Sequence, residues 1–165
     1  MEKVHFGISD RSVGRQMAEY LKDFALFRND ANHSAVSADE FKNKIVGLYF
    51  SGHWCPPCRK FTPVLKDFYE RSSADLEIVF ISRDHTEKQM MNYLKESHGK
   101  WLYIKTNTEN YKKLNKKYNV LSIPTLILVK PDGTTFESDV VEEIFSIREM
   151  IDINCGSRSP KGPAS

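Results

Sequence analysis

The spacing of apolar side chains along the chain predicts several amphipathic helices. In residues 13–24 apolar side chains recur every three or four positions, which places them on one helical face. Ser37 with Glu40, and Thr86 with Gln89, have the spacing of a capping box, which favours the start of a helix. The patterns together predict helices at residues 13–24, from Cys58 to about Arg71, after Thr86, at Tyr111–Tyr118, and after the candidate cap Asp139.

Compact apolar runs between these segments predict buried strands. Ile45–Phe50, Leu76–Ile81 and Thr125–Val129 are the strongest of these runs. Pro131-Asp132-Gly133 is a turn signal, so Thr134–Phe136 should return antiparallel to the preceding strand. Shorter extended segments are expected at residues 24–27 and 101–104.

Strands that alternate with helices and end in an antiparallel pair predict an α/β fold with a mixed central sheet flanked by helices. The helix after Phe50 should connect two parallel strands by a right-handed crossover. Cys55 would then lie at the carboxyl end of a strand and the amino end of a helix, where open α/β sheets carry their chemistry. We expect residues 1–23 to form a helical extension, residues 24–153 the domain, and the apolar-poor residues 154–165 a disordered tail.

Length and charge exclude several classes of protein. The 165 residues suffice for one ordinary domain, and the net charge of +2 implies neither a nucleic-acid nor a membrane partner. No run approaches the roughly 18–20 apolar residues of a membrane span. The first residues lack the pattern of a signal peptide, so we expect a cytoplasmic protein, with the nucleus as a second compartment.

Two of the three cysteines carry the candidate chemistry. Cys55 and Cys58 are three residues apart, on one face of a first helical turn, and can close a disulfide. The N–H groups and partial positive charge of a helix amino terminus favour a thiolate there, and Arg59 adds nearby positive charge. We expect Cys55 to attack a substrate disulfide and Cys58 to resolve the mixed disulfide. Cys155 is interpreted as a bystander thiol. Asp84, at a strand end, is interpreted as a helix cap, with assistance to proton transfer as the alternative.

The alternative to a redox pair is half of a zinc site. Structural zinc takes four nitrogen or sulfur ligands, so Cys155 and a histidine would have to complete the set. The sequence contains no second C-x-x-C and no H-x-x-x-H pattern, so neither a metal nor another cofactor is expected.

The segment Trp54-Cys55-Pro56-Pro57-Cys58-Arg59 resembles the active site of the tryparedoxin and nucleoredoxin branch of the thioredoxin-like family. Agreement extends over about residues 24–138 and includes Tyr49-Phe50-Ser51 and Ile123-Pro124-Thr125-Leu126. The resemblance implies a thioredoxin-like fold and a cis Ile123–Pro124 peptide that faces the disulfide, beside backbone that pairs with a substrate chain.

Three further residues are interpreted through the same resemblance. Trp54 would shield the disulfide. Tyr49 occupies the position at which ordinary thioredoxins hold a buried acid. His53 lies where relatives often carry a small residue. Either it tunes the thiolate, which its protonated form would favour, or it covers the site as a surface histidine.

The resemblance implies a monomeric protein-disulfide reductase that acts on disulfide-containing proteins such as peroxidases or regulatory proteins. Its upstream electron donor, a reductase or a low-molecular-weight thiol, is left open. So are two alternatives, a redox-dependent protein-binding regulator of the nucleoredoxin type with little turnover, and an isomerase or oxidant. A pair of cysteines fits the reductase, the regulator and the isomerase or oxidant alike, because the direction of electron flow depends on the reduction potential of the pair and on the compartment.

Overall fold

A computed structural model describes residues 20–105, 108–137 and 139–156 of the chain. The strands are β1 (Leu26–Arg28), β2 (Ala35–Val36), β3 (Ile45–Ser51), β4 (Leu76–Ser82), β5 (Leu102–Ile104), β6 (Thr125–Val129) and β7 (Thr135–Glu137). The helices are α1 (Pro56–Ser72), α2 (Glu87–Ser97), α3 (Thr108–Tyr118) and α4 (Val141–Gly156), with a 3₁₀ helix at Ala38–Phe41.

The strands form one mixed sheet in the order β2-β1-β5-β4-β3-β6-β7. β3 pairs with β4 in parallel and with β6 antiparallel, so the predicted α/β class with a mixed sheet is confirmed. The crossover from β3 to β4 contains α1, and the register pairs Ser51 with Ser82 at the carboxyl ends of the two strands. The chain that follows Ser51 therefore leaves the sheet at the edge expected for the site.

Side chains of β3 alternate between two apolar layers because successive residues of a strand point to opposite faces of the sheet. Leu48 and Phe50 pack in the layer that contains Leu114 of α3. Tyr49 lies in the other layer, with side chains from α1, α2 and α4. Helices thus cover both faces of the sheet. The buried side chains of Phe61 and Leu65 pack α1 against the sheet.

Several elements differ from the predicted bounds. α1 begins at Pro56 rather than Cys58, because two prolines at the first helical positions need no backbone N–H partner there. The strand expected at residues 24–27 begins two residues later than predicted. Phe24 closes a turn on Leu21, with a 3.0 Å backbone hydrogen bond, and the strand spans Leu26–Arg28. β2 was not predicted, since two residues carry no periodicity.

The ends of the chain are described only in part. Residues 1–19 of the expected extension and residues 157–165 of the expected tail lie outside the described residues, whereas Tyr20 and Leu21 are helical. α4 continues to Gly156, three residues past the boundary expected at residue 153, and glycine is a common residue at a helix end. No helix in the described part is long and apolar enough to cross a membrane.

Candidate redox site

Cys55 is the N-cap of α1. Its backbone is extended (φ −94°, ψ 110°), and its sulfur accepts a hydrogen bond from the backbone N–H of Cys58 at 3.4 Å. Cys55 N–H donates to the Gly52 carbonyl at 3.2 Å, which fixes the turn between β3 and the helix. The Cys55 sulfur therefore lies at the helix start, where unpaired N–H donors and the partial positive charge of the helix are found.

Cys58 lies one turn further along α1 and is fully buried, whereas Cys55 keeps 5% of its surface exposed. Both are free thiols. Burial raises the pKa of Cys58 to about 12, and the hydrogen bond with Cys55 acts in the same direction. The two thiols are therefore unequal, because Cys58 stays protonated at neutral pH.

The loop before β6 borders the first cysteine. The Ile123–Pro124 peptide is cis, as the resemblance implies. The Cys55 thiol lies 3.9 Å from the Ile123 carbonyl oxygen and donates to it. Ile123 and Pro124 thus form one wall beside the Cys55 sulfur.

Trp54 and His53 directly precede Cys55, and their side chains contact the loop after β4 and helix α2. The Trp54 side chain is half exposed, and its indole N–H donates to the Arg83 carbonyl at 3.1 Å. The His53 ring lies against Tyr93 with a centroid distance of 5.4 Å, and its Nε2 is 2.9 Å from Glu96 Oε2. His53 therefore contacts α2, and its ring covers Tyr93.

Asp84 anchors this loop instead of capping a helix. Its carboxylate accepts the His53 N–H at 2.8 Å and the Ser82 hydroxyl at 2.8 Å. The helix cap expected of Asp84 is wrong, because the Thr86 hydroxyl accepts the N–H of Gln89 at the start of α2.

Tyr49 belongs to a cluster of four buried hydroxyls directly behind Cys58. Tyr49 and Tyr93 both contact the Thr62 hydroxyl, which donates to the Cys58 carbonyl at 2.9 Å. Ser51 joins the cluster through Tyr93 at 2.9 Å. Burial raises the pKa of Tyr49 well above its ordinary value, so Tyr49 is a neutral phenol, unlike the carboxylic acid of ordinary thioredoxins.

The remaining candidate, Arg59, is exposed, and it joins the site through its backbone N–H, which donates to the Cys55 carbonyl at 3.1 Å. Among the side chains that the structure describes, His, Cys, Asp and Glu form no group of three that could hold a metal ion. The side chain of Cys155 lies outside those described.

Sequence reasoning missed the role of Ser51, Thr62 and Tyr93 as one cluster. A signal was present: Thr62 follows Cys58 by four residues, so both lie on the buried face of α1. A hydroxyl at such a position requires a polar partner, and the partners come from β3 and α2, far away in the sequence.

A mixed sheet that carries two unequal thiols at a helix start, beside a cis-proline loop, defines a dithiol–disulfide redox protein. The model of the family described as thioredoxin-like matches residues 43–135, more than half of the chain. The chain belongs to the thioredoxin-like family, whose members act on disulfide substrates.

Individual relatives fall in the expected branch. Nucleoredoxin-like protein 1 of Mus musculus is 32% identical over 141 residues, which cover 78% of this chain and 65% of that protein. Tryparedoxin of Trypanosoma brucei brucei is 40% identical over 118 residues, 66% of this chain and 79% of that protein. The crystal structure of thioredoxin from Wuchereria bancrofti superposes with a TM-score of 0.71 at 38% identity, covering 83% and 97% of the two chains. The chain thus spans slightly less than two thirds of nucleoredoxin-like protein 1.

Proposed function

We propose that the protein is a protein-disulfide reductase that cycles Cys55 and Cys58 between dithiol and disulfide. The observation that carries the proposal is the inequality of the two thiols. Cys55 sits at the helix start beside the Ile123–Pro124 loop, while Cys58 is buried with a pKa raised to about 12. An attacking thiolate must reach its substrate, and a resolving thiol should stay protonated until the mixed disulfide exists.

The reaction passes two electrons to the substrate. The Cys55 thiolate attacks one sulfur of the substrate disulfide, the second substrate sulfur leaves as a thiolate, and a mixed disulfide remains. Cys58 then loses its proton and attacks the Cys55 sulfur, which releases the other substrate sulfur. The products are the Cys55–Cys58 disulfide and two substrate thiols, which carry the two protons. An upstream thiol donor must reduce the disulfide again.

The surroundings of Cys55 support a polypeptide substrate. The loop at Ile123 offers a carbonyl beside the sulfur, and the Trp54 ring adds a half-exposed apolar surface. Peroxidases and regulatory proteins with accessible disulfides are the proposed partners.

Insulin reduction in the presence of dithiothreitol tests the proposal. The wild-type protein should accelerate precipitation of the insulin B chain well above dithiothreitol alone, and Cys55→Ser should return the rate to that background. Thr86→Ser, which keeps the cap of α2, is the matched control for a substitution outside the site. A wild-type rate equal to the background would contradict the proposal.

A redox-dependent binding module is the second candidate, and the exposed apolar side chains beside the site favour it. Leu121, two residues before Ile123, is 84% exposed, and Trp54 is half exposed. A binding module should retain a carboxymethylated, disulfide-free polypeptide with an affinity that changes between the dithiol and disulfide forms, while insulin turnover stays at background. Turnover above background without redox-dependent retention would rule the module out.

A further inference from the structure

The Cys58 thiol must ionise during the proposed reaction although it is buried. The groups that face it from the packed elements are the Cys55 thiol, the Ser51 hydroxyl and the Gly52 backbone, and Tyr93 of α2 lies next to Ser51. None of these is a carboxylate. The Asp84 carboxylate, in the loop after β4, accepts from the His53 N–H and the Ser82 hydroxyl. An ionised Cys58 therefore depends on hydroxyl and backbone donors.

Counting protons fixes the direction of every hydrogen bond in the cluster. Each hydroxyl has one proton to donate, and a carbonyl can only accept. Thr62 donates to the Cys58 carbonyl, so Tyr49 and Tyr93 must both donate to Thr62. Tyr93 has then used its proton, so Ser51 must donate to Tyr93. While Cys58 is a thiol, every O–H in this cluster points away from its sulfur, and Ser51 keeps lone pairs that can accept the S–H.

We propose that Ser51, Tyr93 and Thr62 form a reversible hydrogen-bond chain that turns toward the Cys58 sulfur when this thiol ionises. Ser51 then donates to the sulfur, Tyr93 to Ser51, and Thr62 to Tyr93. Each hydroxyl proton only rotates about its C–O bond, and no proton travels along the chain. The proton of Cys58 leaves with the departing substrate thiol, so the step Cys58–SH + Cys55–S–S–R → Cys55–S–S–Cys58 + HS–R balances.

Reversal of the hydrogen-bond chain breaks few of the hydrogen bonds in the cluster. The Cys58 carbonyl loses the Thr62 hydroxyl but keeps the Thr62 backbone N–H, its regular partner four residues along the helix. Tyr49 donates to Thr62 in both orientations, so it takes no part in the switch. In the reversed chain Ser51 donates to the reacting sulfur, whereas Tyr93 and Thr62 act only through Ser51 and are positioning residues.

The inference rests on the proposed function, in which Cys58 resolves a mixed disulfide, and stopped-flow reaction with Ellman's reagent tests it. All variants carry Cys155→Ser, so that only Cys55 and Cys58 react. Attack by Cys55 releases a first equivalent of thionitrobenzoate, and attack by Cys58 on the mixed disulfide releases a second. The first phase reports the fold and the reactivity of Cys55, and the second reports resolution.

Ser51→Ala should slow the second phase about tenfold at each pH between 6 and 9, because one hydrogen bond to a charged sulfur is lost. The pH profile of the second phase should shift to higher pH by about one unit, while the rate of the first phase changes less than twofold. Tyr93→Phe should slow the second phase less than Ser51→Ala, and Tyr49→Phe should slow it least, although both remove a phenol hydroxyl from the same cluster.

Three results would be decisive. A second phase in Ser51→Ala that matches the parent would overturn the chain and leave the proposed function intact. Equal slowing by Tyr49→Phe and Tyr93→Phe would also overturn it, because the effect would then come from packing. Release of only one equivalent by the parent would instead contradict the proposed function itself.

Discussion

His98 is a buried imidazole that the fold holds in its neutral form. Its ring centroid lies 4.3 Å from those of Phe80 and Tyr93. Its Nδ1 accepts the indole N–H of Trp101 at 3.0 Å, and its Nε2 has no hydrogen-bond partner. Burial, followed by the charge of protonated His53, lowers the pKa of His98 to about 3. Protonation of Nδ1 would oppose two N–H donors, so we expect acid to unfold the protein through this residue.

The size of the effect follows from linkage between protonation and folding. An unfolded histidine has a pKa of about 6.5, so between pH 6.5 and 3 the unfolded chain binds a proton that native His98 does not. Stability therefore falls as pH drops below about 6.5, and the loss is complete near pH 3. It amounts to about 5 kcal/mol in full, and to about 2 kcal/mol between pH 8 and pH 5.

Urea unfolding of wild type and His98→Gln at pH 8 and pH 5, followed by circular dichroism, measures this contribution. Glutamine can still accept the Trp101 N–H but does not titrate, so the variant should lose about 2 kcal/mol less than wild type between the two pH values. His85→Gln removes an exposed imidazole and serves as the control. If His98→Gln and wild type lost the same free energy on acidification, the reasoning would be refuted.

Three stability predictions follow from other buried or capping contacts, each measured by urea unfolding at pH 7. Phe61→Ala should lose about 3–5 kcal/mol, because its fully buried ring packs against Tyr49; a loss below about 1 kcal/mol would contradict this packing. Thr86→Ala should lose about 1 kcal/mol by removing the cap of α2, whereas Thr86→Ser should keep most of it. Arg28→Met should lose about 3 kcal/mol, because the buried Glu77 carboxylate would lose the guanidinium that lies 3.3 Å away; an unchanged midpoint would contradict a role for this pair.

The sequence pattern was sufficient to predict the positions of the elements with strong apolar periodicity. β3, β4, β6 and α1 lie where apolar runs and spacing predicted them, and the Asp139 carboxylate accepts the N–H of Val141 at the start of α4, as expected of its cap. The position of Cys55 at the end of β3 followed from the same pattern, because a parallel crossover leaves little freedom to the chain.

The environment of the cysteines could not be predicted in the same way. The contact between Cys55 and Ile123 joins residues 68 positions apart, and the contact between Ser51 and Tyr93 joins residues 42 positions apart. Asp84 was expected to cap a helix because it lies just before α2, yet its carboxylate accepts the N–H of His53 from the loop after β3. Local signals cannot reveal such pairings, since they depend on which strands lie next to each other in the sheet.

Trapping of mixed disulfides measures most directly whether Cys55 attacks and Cys58 resolves. Cys58→Ser and Cys55→Ser, both with Cys155→Ser, are reduced, freed of reductant, mixed with a disulfide-containing protein such as insulin, and quenched with acid for intact-mass analysis. Cys58→Ser should accumulate a covalent adduct through Cys55, because no second thiol resolves it. Cys55→Ser should give none, because buried Cys58 is protonated at neutral pH. Equal adduct yields in both variants, or an adduct only in Cys55→Ser, would contradict the account.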